Sequence, residues 1–227
     1  MTFVPQQKLY FVMKKHFFYP LLVVLLFHAT YACNSDKSKI NRGFYFWKSS
    51  SYCLNEKELT CLNKEHIQKL YVKFFDIETN DVLGAVPVAK TELNIWEFQH
   101  DSDSLMEASV DPVIVPTVYI KNEVFIQVTP GSLDTLASNT LFLIDKYFQN
   151  RMKTDSIDYN EIQIDCDWTE KTRDNYFSFL RKLKGTSNKS ISCTLRLYPY
   201  KYRDQLGIPP VDRAVLMCYN LINPLIS

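Results

Sequence analysis

The sequence predicts an α/β fold in which a parallel sheet curls into an incomplete β/α barrel, with about six of the usual eight strands. Three observations lead to this prediction. Strand-like and helix-like segments alternate from Gly43 onward, as in βαβ units. Polar and apolar residues alternate within the strand-like segments, which suits strands lining a barrel interior. Asp165 and Asp167 end the fourth strand, where barrel enzymes place catalytic groups; an open doubly wound sheet would explain only the alternation.

Six main strands are expected where short runs are rich in β-branched and aromatic residues. These runs span residues 44–47, 70–76, 113–120, 161–168, 191–197 and 214–219. Pro116 predicts an irregularity or an unpaired N–H in the third strand. The polar region 79–111 is expected to be irregular, with room for a minor strand near Ile95 and Trp96.

Three helices are expected between these strands, because apolar residues recur there at helical spacing. The first two span residues 55–68 and 133–152. In the third, Thr169 is expected to cap a helix that runs to about Lys184.

The N-terminus has the parts of a secretory signal peptide over residues 1–32. Basic residues at 14–16 precede an apolar run from 17 to 27, and small or polar residues follow. The run is about half of the ~20 residues that a membrane-spanning helix needs, so a permanent span is not expected. A buried core helix is the alternative, and the lack of a polar face argues against it. Met13, directly before the basic residues, would be an ordinary start of the chain.

A cysteine follows the signal-like segment. Ala32 and Cys33, with a polar run after them, resemble the lipobox of bacterial lipoproteins, although Thr30 and Tyr31 depart from its usual residues. The resemblance implies cleavage before Cys33, lipid on that cysteine, and residues 33–42 as a polar tether to a membrane of the bacterial envelope. A free or disulfide-bonded Cys33 is the alternative.

Composition excludes several classes of function. The net charge of +1 gives no electrostatic case for nucleic-acid binding. The five glycines are scattered, so a nucleotide-binding α/β fold would lack its phosphate-cradling loop. Only His66 and His100 would remain after signal removal, which argues against a multi-histidine metal site or a serine triad. No metal or other cofactor is therefore expected.

Five cysteines lie beyond Cys33. Cys166, Cys193 and Cys218 fall in predicted strands among apolar neighbours, and we expect them to be buried as small hydrophobic residues. Cys53 and Cys61 either form a disulfide or remain free.

Polar residues are expected to meet inside the barrel. Side chains alternate along a strand, so Gln163, Asp165 and Asp167 share one face, and Arg196 has the same inward parity on the next strand. We therefore expect Arg196 to pair with one of the two aspartates, and Lys73 to point toward the same interior. Inward ionisable groups are costly unless they are paired or solvated, which indicates a site. A buried ionic network that only sets strand register is the alternative.

Two motifs resemble the chitinase-type glycoside hydrolases. Residues 164–168 are similar to the end of that group's fourth-strand pattern D-x-x-D-x-D-x-E, and residues 216–220 to its sixth-strand M-x-Y-D. The resemblance implies catalytic roles for Asp165 and Asp167 and a barrel of glycoside-hydrolase type. It also implies a carbohydrate substrate and places the motif's tyrosine at Tyr219. We expect substrate contacts from Tyr219 and also from Trp47, Lys73 and Arg196.

The chain departs from this pattern at its acid. Ile162 stands at the first aspartate, Asn220 at the last, and Thr169 at the catalytic glutamate, with Glu170 one residue out of phase. We therefore expect no chitinase-type hydrolysis from this chain.

A second resemblance covers residues 44–220. It is to lipoproteins of Bacteroidetes type with a glycoside-hydrolase-like barrel, and the matching stretches are 44–48, 70–76, 116–120, 161–169 and 209–213. Residues 43–227 are accordingly expected to form a shortened barrel. The sequence thus predicts a lipid-anchored, carbohydrate-related envelope protein, with a non-catalytic sugar-binding or assembly lipoprotein as the alternative.

Overall fold

The computed structural model describes residues 41–47, 54–80, 84–89, 112–126, 128–152 and 159–218. The strands are β1 Gly43–Phe46, β2 Lys69–Asn80, β3 Gly84–Ala89, β4 Val113–Ile120, β5 Glu161–Asp165, β6 Ser190–Arg196 and β7 Arg213–Met217. The helices are α1 Glu56–Lys64, α2 Pro130–Met152, α3 Arg173–Thr186, α4 Leu197–Lys201 and α5 Arg203–Leu206, with a 3-10 turn at Asn122–Phe125.

Six parallel strands form a curled half-barrel sheet in the order β1-β2-β4-β5-β6-β7, so the predicted α/β class and partial barrel are confirmed. The bounds of β4 agree with the prediction. β3 was not predicted: it lies in the region expected to be irregular and pairs antiparallel with residues 75–80 of β2. β1 pairs with residues 69–72 of β2, so β1 and β3 are successive partners along one side of β2. Ile95 and Trp96 lie outside the described residues.

A β-bulge at Phe74 changes which residues of β2 face inward. The register with β4 shifts between Lys73 and Phe75, which leaves Phe74 as an extra residue. Phe74 and Phe75 both pack against aromatic rings of α2 on the outer face. Lys73 and Asp76 lie together on the inner face. The irregularity was expected at Pro116 in β4, whereas the bulge lies in β2, just after the Lys73–Thr117 pair that follows the Val72–Pro116 pair.

The two faces of the sheet separate apolar from polar residues, as their alternation predicts. On β5, Ile162 and Ile164 are fully buried in the core formed with the helices. The concave face carries buried polar side chains, namely Thr117, Gln163, Ser192 and Thr194.

The connection between β5 and α3 differs from the prediction. β5 ends at Asp165, and α3 begins at Arg173 after Thr172 rather than after Thr169. The Thr169 N–H donates to Thr172 Oγ1 at 2.9 Å, and the Thr172 hydroxyl donates to Asn122 Oδ1 at 2.5 Å. These side-chain bonds hold residues 169–172 in a turn, a role that threonine readily takes before a helix.

The other helices begin close to the expected positions. Asn55 caps α1 through a capping box with Glu58, as its sequence favours, but α1 ends at Lys64. α2 begins at Pro130, three residues before the predicted start at Leu133.

The cysteines follow the prediction in part. Cys166 and Cys193 are buried as expected, whereas Cys218 is exposed beyond the end of the edge strand β7. Cys61 is a free thiol, so of the two alternatives for Cys61 the structure shows the unbonded one. Cys53 lies outside the described residues.

Candidate functional site at the carboxyl edge

Parallel strands end at the same edge of a sheet, and β1, β2, β4, β5 and β6 bring polar and aromatic side chains to that edge. We call this region the carboxyl edge, and it comprises Trp47, Lys73, Asp76, Tyr119, Asp165, Asp167, Thr194 and Arg196. Asp76 lies opposite Tyr119, and Tyr119 lies opposite Asp165. These inner-face positions sit where barrel enzymes place their catalytic groups.

Lys73 lies at the centre of the carboxyl edge. Its ammonium is 2.7 Å from Asp76 Oδ1, and these side chains are only 19% and 5% exposed. The same nitrogen lies 5.4 Å from the ring centroid of Trp47 and 5.6 Å from that of Tyr119. A cation over two aromatic faces is attracted to both, so the rings and the charge hold one another in place.

An aromatic row leads from this edge into the concave face. The rings of Trp47 and Tyr45 stack with centroids 5.9 Å apart, and those of Tyr45 and Tyr71 with centroids 4.9 Å apart. Both pairs are inclined by 23°, the offset-stacked arrangement that aromatic quadrupoles favour. Trp47 is only partly buried, so its ring is available at the edge.

Asp165 is an acid with a perturbed proton affinity. Burial raises its pKa most, and the nearby Asp167 carboxylate raises it further. The hydroxyl of Thr194, which donates to Asp165 Oδ1 at 2.5 Å, and the charges of Arg196 and Lys73 oppose this only in part. Asp165 therefore holds a proton more readily than an ordinary aspartate, as a proton donor must.

Asp167 forms the ion pair that the strand parity predicts. Its carboxylate accepts hydrogen bonds from the guanidinium of Arg196, which lies on the adjacent strand. The two side chains are 37% and 58% exposed, so the pair lies at the surface and not in a buried network. Burial, followed by the charges of Asp167 and Asp165, raises the pKa of Tyr119 at the same edge.

A second charged cluster lies at the opposite, amino end of the concave face. Glu161 Oε2 is 2.5 Å from Lys69 Nζ and 2.8 Å from an Arg213 nitrogen, while the Tyr71 hydroxyl reaches Oε1 at 3.5 Å. Burial alone would raise the pKa of Glu161, but the bond from Lys69 and the remaining contacts reverse this and lower it. Burial, and next Glu161 itself, raises the pKa of Tyr71 to about 12.

Gln163 lies between the two clusters on β5. Its side chain is fully buried, and neither amide atom has a hydrogen-bond partner within the part of the chain that the structure describes. The neighbouring hydroxyls of Thr117 and Ser192 bond to backbone carbonyls instead. An unpaired buried amide is costly, so this part of the concave face is not optimised for stability alone.

Five predicted site residues meet at the carboxyl edge: Trp47, Lys73, Asp165, Asp167 and Arg196. Tyr219 and Cys33 lie outside the described residues. Asp76 was not among the predicted site residues, because the bulge reverses the parity of β2. Tyr119 was not among them either, although it has the same inward parity as Thr117 on β4 and alternation could have indicated it. Thr169, which stands where the resembling motif has its catalytic glutamate, and the adjacent Glu170 are both exposed in the turn before α3.

A separate cavity of about 580 Å³ lies between the β2–β3 hairpin and α2, with Leu136, Thr140 and Phe142 among its lining residues. It contains none of the charged groups of the carboxyl edge, which we select as the site because chemical function requires convergent polar groups. Among the described residues, no three His, Cys, Asp or Glu side chains are arranged to hold a metal ion.

Comparisons with protein-family models, with curated proteins and with solved structures found no match to the chain. Assignment to the glycoside-hydrolase type therefore depends on the motif resemblance at Asp165 and Asp167. In the described ranges, no helix combines the length and apolar character needed to cross a membrane.

Proposed function

We propose that this protein is a lipid-anchored protein of the bacterial envelope that binds glycans at the carboxyl edge. The observation that carries the proposal is the convergence of Trp47 and Tyr119 on Lys73, next to Asp165 and the Asp167–Arg196 pair. A sugar ring presents slightly positive C–H faces, which suit aromatic rings, and hydroxyls, which suit charged groups with hydrogen-bonding capacity.

Glycoside hydrolysis is the second candidate, and the raised pKa of Asp165 favours it. Hydrolysis requires a protonated acid and a second carboxylate as nucleophile or base. Asp167 or Asp76 would have to serve as that second group, yet Arg196 already binds the oxygens of Asp167, and Lys73 pairs with Asp76. Binding without turnover therefore fits the edge better than a complete hydrolase.

Glycan binding is tested with the purified protein on an array of bacterial and plant oligosaccharides. We expect Trp47→Ala to lower the signal for bound glycans at least several-fold, since it removes the aromatic face beside Lys73. Phe142→Ala is the matched control, because Phe142 is 64% exposed on α2 and away from the edge. Absence of binding by the wild type, or an equal loss in both variants, would contradict the proposal.

The lipid anchor is tested separately in cells. The basic, apolar and small-residue series that ends at Ala32-Cys33 supports it. Cys33→Ser should move the protein out of the membrane fraction or block its processing, whereas Cys61→Ser should do neither, because Cys61 is a free thiol of the folded region. Normal cleavage and full membrane retention of Cys33→Ser would reject the anchor.

A further inference from the structure

A pair of exposed tyrosines lies directly after β6. Tyr198 in α4 is 63% exposed and Tyr202 at the end of that helix is 37% exposed, and their ring centroids are 4.7 Å apart. Residues four apart in a helix lie on one face, so these two rings form one surface, which we call the tyrosine platform. Tyr200 is also exposed, but its position two residues on turns it to the other side of the short helix.

The segment that carries the platform is fixed to the core. The indole of Trp168 donates to the Leu206 carbonyl at 3.2 Å, and Arg173 donates to the Gln205 carbonyl at 2.7 Å. Pro199 and Leu206 are buried beneath the segment. Rings held in place before binding lose little conformational entropy on contact with a ligand, which makes them effective binding groups.

The platform adjoins the carboxyl edge. α4 begins immediately after Arg196, the residue that pairs with Asp167. β6 is parallel to its neighbours, so the chain that leaves it emerges at the same edge as Asp165. The platform therefore lies next to the last charged group of the candidate site.

We propose that Tyr198 and Tyr202 form a second sugar subsite, and that the ligand is an extended oligosaccharide rather than a single sugar. This inference rests on the proposed glycan-binding function. Lys201 lies 5.1 Å from the ring of Tyr202, and the exposed residues 203–205 give the platform a polar rim. Phenolic rings with a polar rim suit a hydroxylated ligand better than an apolar protein surface.

The test is the dependence of affinity on chain length, measured by calorimetry with disaccharides and hexasaccharides of the series that the array identifies. Tyr198→Ala and Tyr202→Ala should each weaken hexasaccharide binding about three- to ten-fold and leave disaccharide binding unchanged. Tyr198→Phe keeps the ring and should keep most of the affinity. Tyr200→Ala is the matched control and should bind like the wild type, while Trp47→Ala should weaken both ligands.

The outcomes separate the two proposals. If Trp47→Ala weakens binding but the platform variants bind both ligands like the wild type, the subsite is rejected and the carboxyl-edge site remains. Equal losses in Tyr200→Ala and Tyr198→Ala would also reject the subsite. If no glycan binds, or Trp47→Ala has no effect, the glycan-binding function itself fails. Unfolding midpoints in urea establish that each variant is folded.

Discussion

Glu161 and Asp165 begin and end the same strand and face the same concave side, yet their surroundings shift their pKa values in opposite directions. Lys69 and Arg213 both contact Glu161, and the net result is a lowered pKa. Burial raises the pKa of Asp165 most, and the nearby Asp167 carboxylate raises it further, while the bond from the Thr194 hydroxyl opposes the rise only in part.

The difference indicates separate roles for the two ends of the concave face. A carboxylate with full charge compensation stabilises the fold and has little chemistry to offer. A partly buried carboxyl group with incomplete compensation costs stability, and such groups concentrate at functional sites. This comparison favours a structural role for the amino-end cluster around Glu161 and supports the choice of the carboxyl edge as the proposed site.

The largest expected effect is at the amino end. Glu161→Gln should lower the free energy of unfolding by about 2–3 kcal/mol, because a neutral amide no longer compensates the charges of Lys69 and Arg213 and accepts their hydrogen bonds more weakly. Glu65→Gln is the control: its carboxylate pairs with Arg42 at the surface and should cost less than ~1 kcal/mol. Urea denaturation measures both, and equal costs would remove the assigned structural role.

A smaller effect, with opposite signs at the two residues, is expected from pH. The lowered pKa of Glu161 contributes stability above its unfolded pKa of about 4.3, and this is lost as pH falls through the folded pKa. The raised pKa of Asp165 destabilises the fold at neutral pH, and that penalty disappears as pH falls toward its unfolded value of about 3.9.

Asp165→Asn should therefore be more stable than the wild type near neutral pH, because it removes the charge that burial disfavours. The amide oxygen can still accept the hydrogen bond from Thr194. The gain should shrink as pH falls through the folded pKa and vanish below the unfolded pKa of about 3.9, where Asp165 is protonated in both states. Urea titrations at several pH values measure this difference. A gain that grows with acidification would show that the pKa of Asp165 is shifted the other way.

Loss of the surface ion pair should matter less. Arg196→Ala should cost about 0.5–1 kcal/mol, and less in 1 M salt, because Asp167 and Arg196 are both substantially exposed. A buried pair would have cost ~3–5 kcal/mol, which the sequence argument alone allowed. Denaturation at low and high salt distinguishes the two values.

For hydrolysis we expect no measurable activity: the purified protein should not turn over chito-oligosaccharides. In the motif that resembles the chitinase-type pattern, Thr169 stands at the position of the acid, and Glu170 is exposed in the turn before α3. The measurement is release of reducing sugar or of a chromophore. Turnover that Glu170→Gln abolishes would make Glu170 the acid, and turnover that Asp165→Asn abolishes would favour the hydrolase candidate.

The sequence by itself determined the approximate places of the six parallel strands, although not of β3, and the inward parity of Asp165, Arg196 and Lys73. Periodicity of two is a local property, so it identifies the polar face of each strand before any contact is known. It also led to the Asp167–Arg196 pair, because neighbouring parallel strands place equivalent faces side by side. Lipidation of Cys33 and any role of Tyr219 remain predictions from the motifs.

Only the tertiary structure decided which charges meet. Lys69 and Arg213 reach Glu161 from 92 and 52 residues away, across an intervening strand on each side, because the sheet is curled. The bulge at Phe74 brings Asp76 to Lys73, although simple alternation would place these two residues on opposite faces. Sheet curvature and register depend on all the strands together, so no local pattern in β2 or β5 could reveal these contacts.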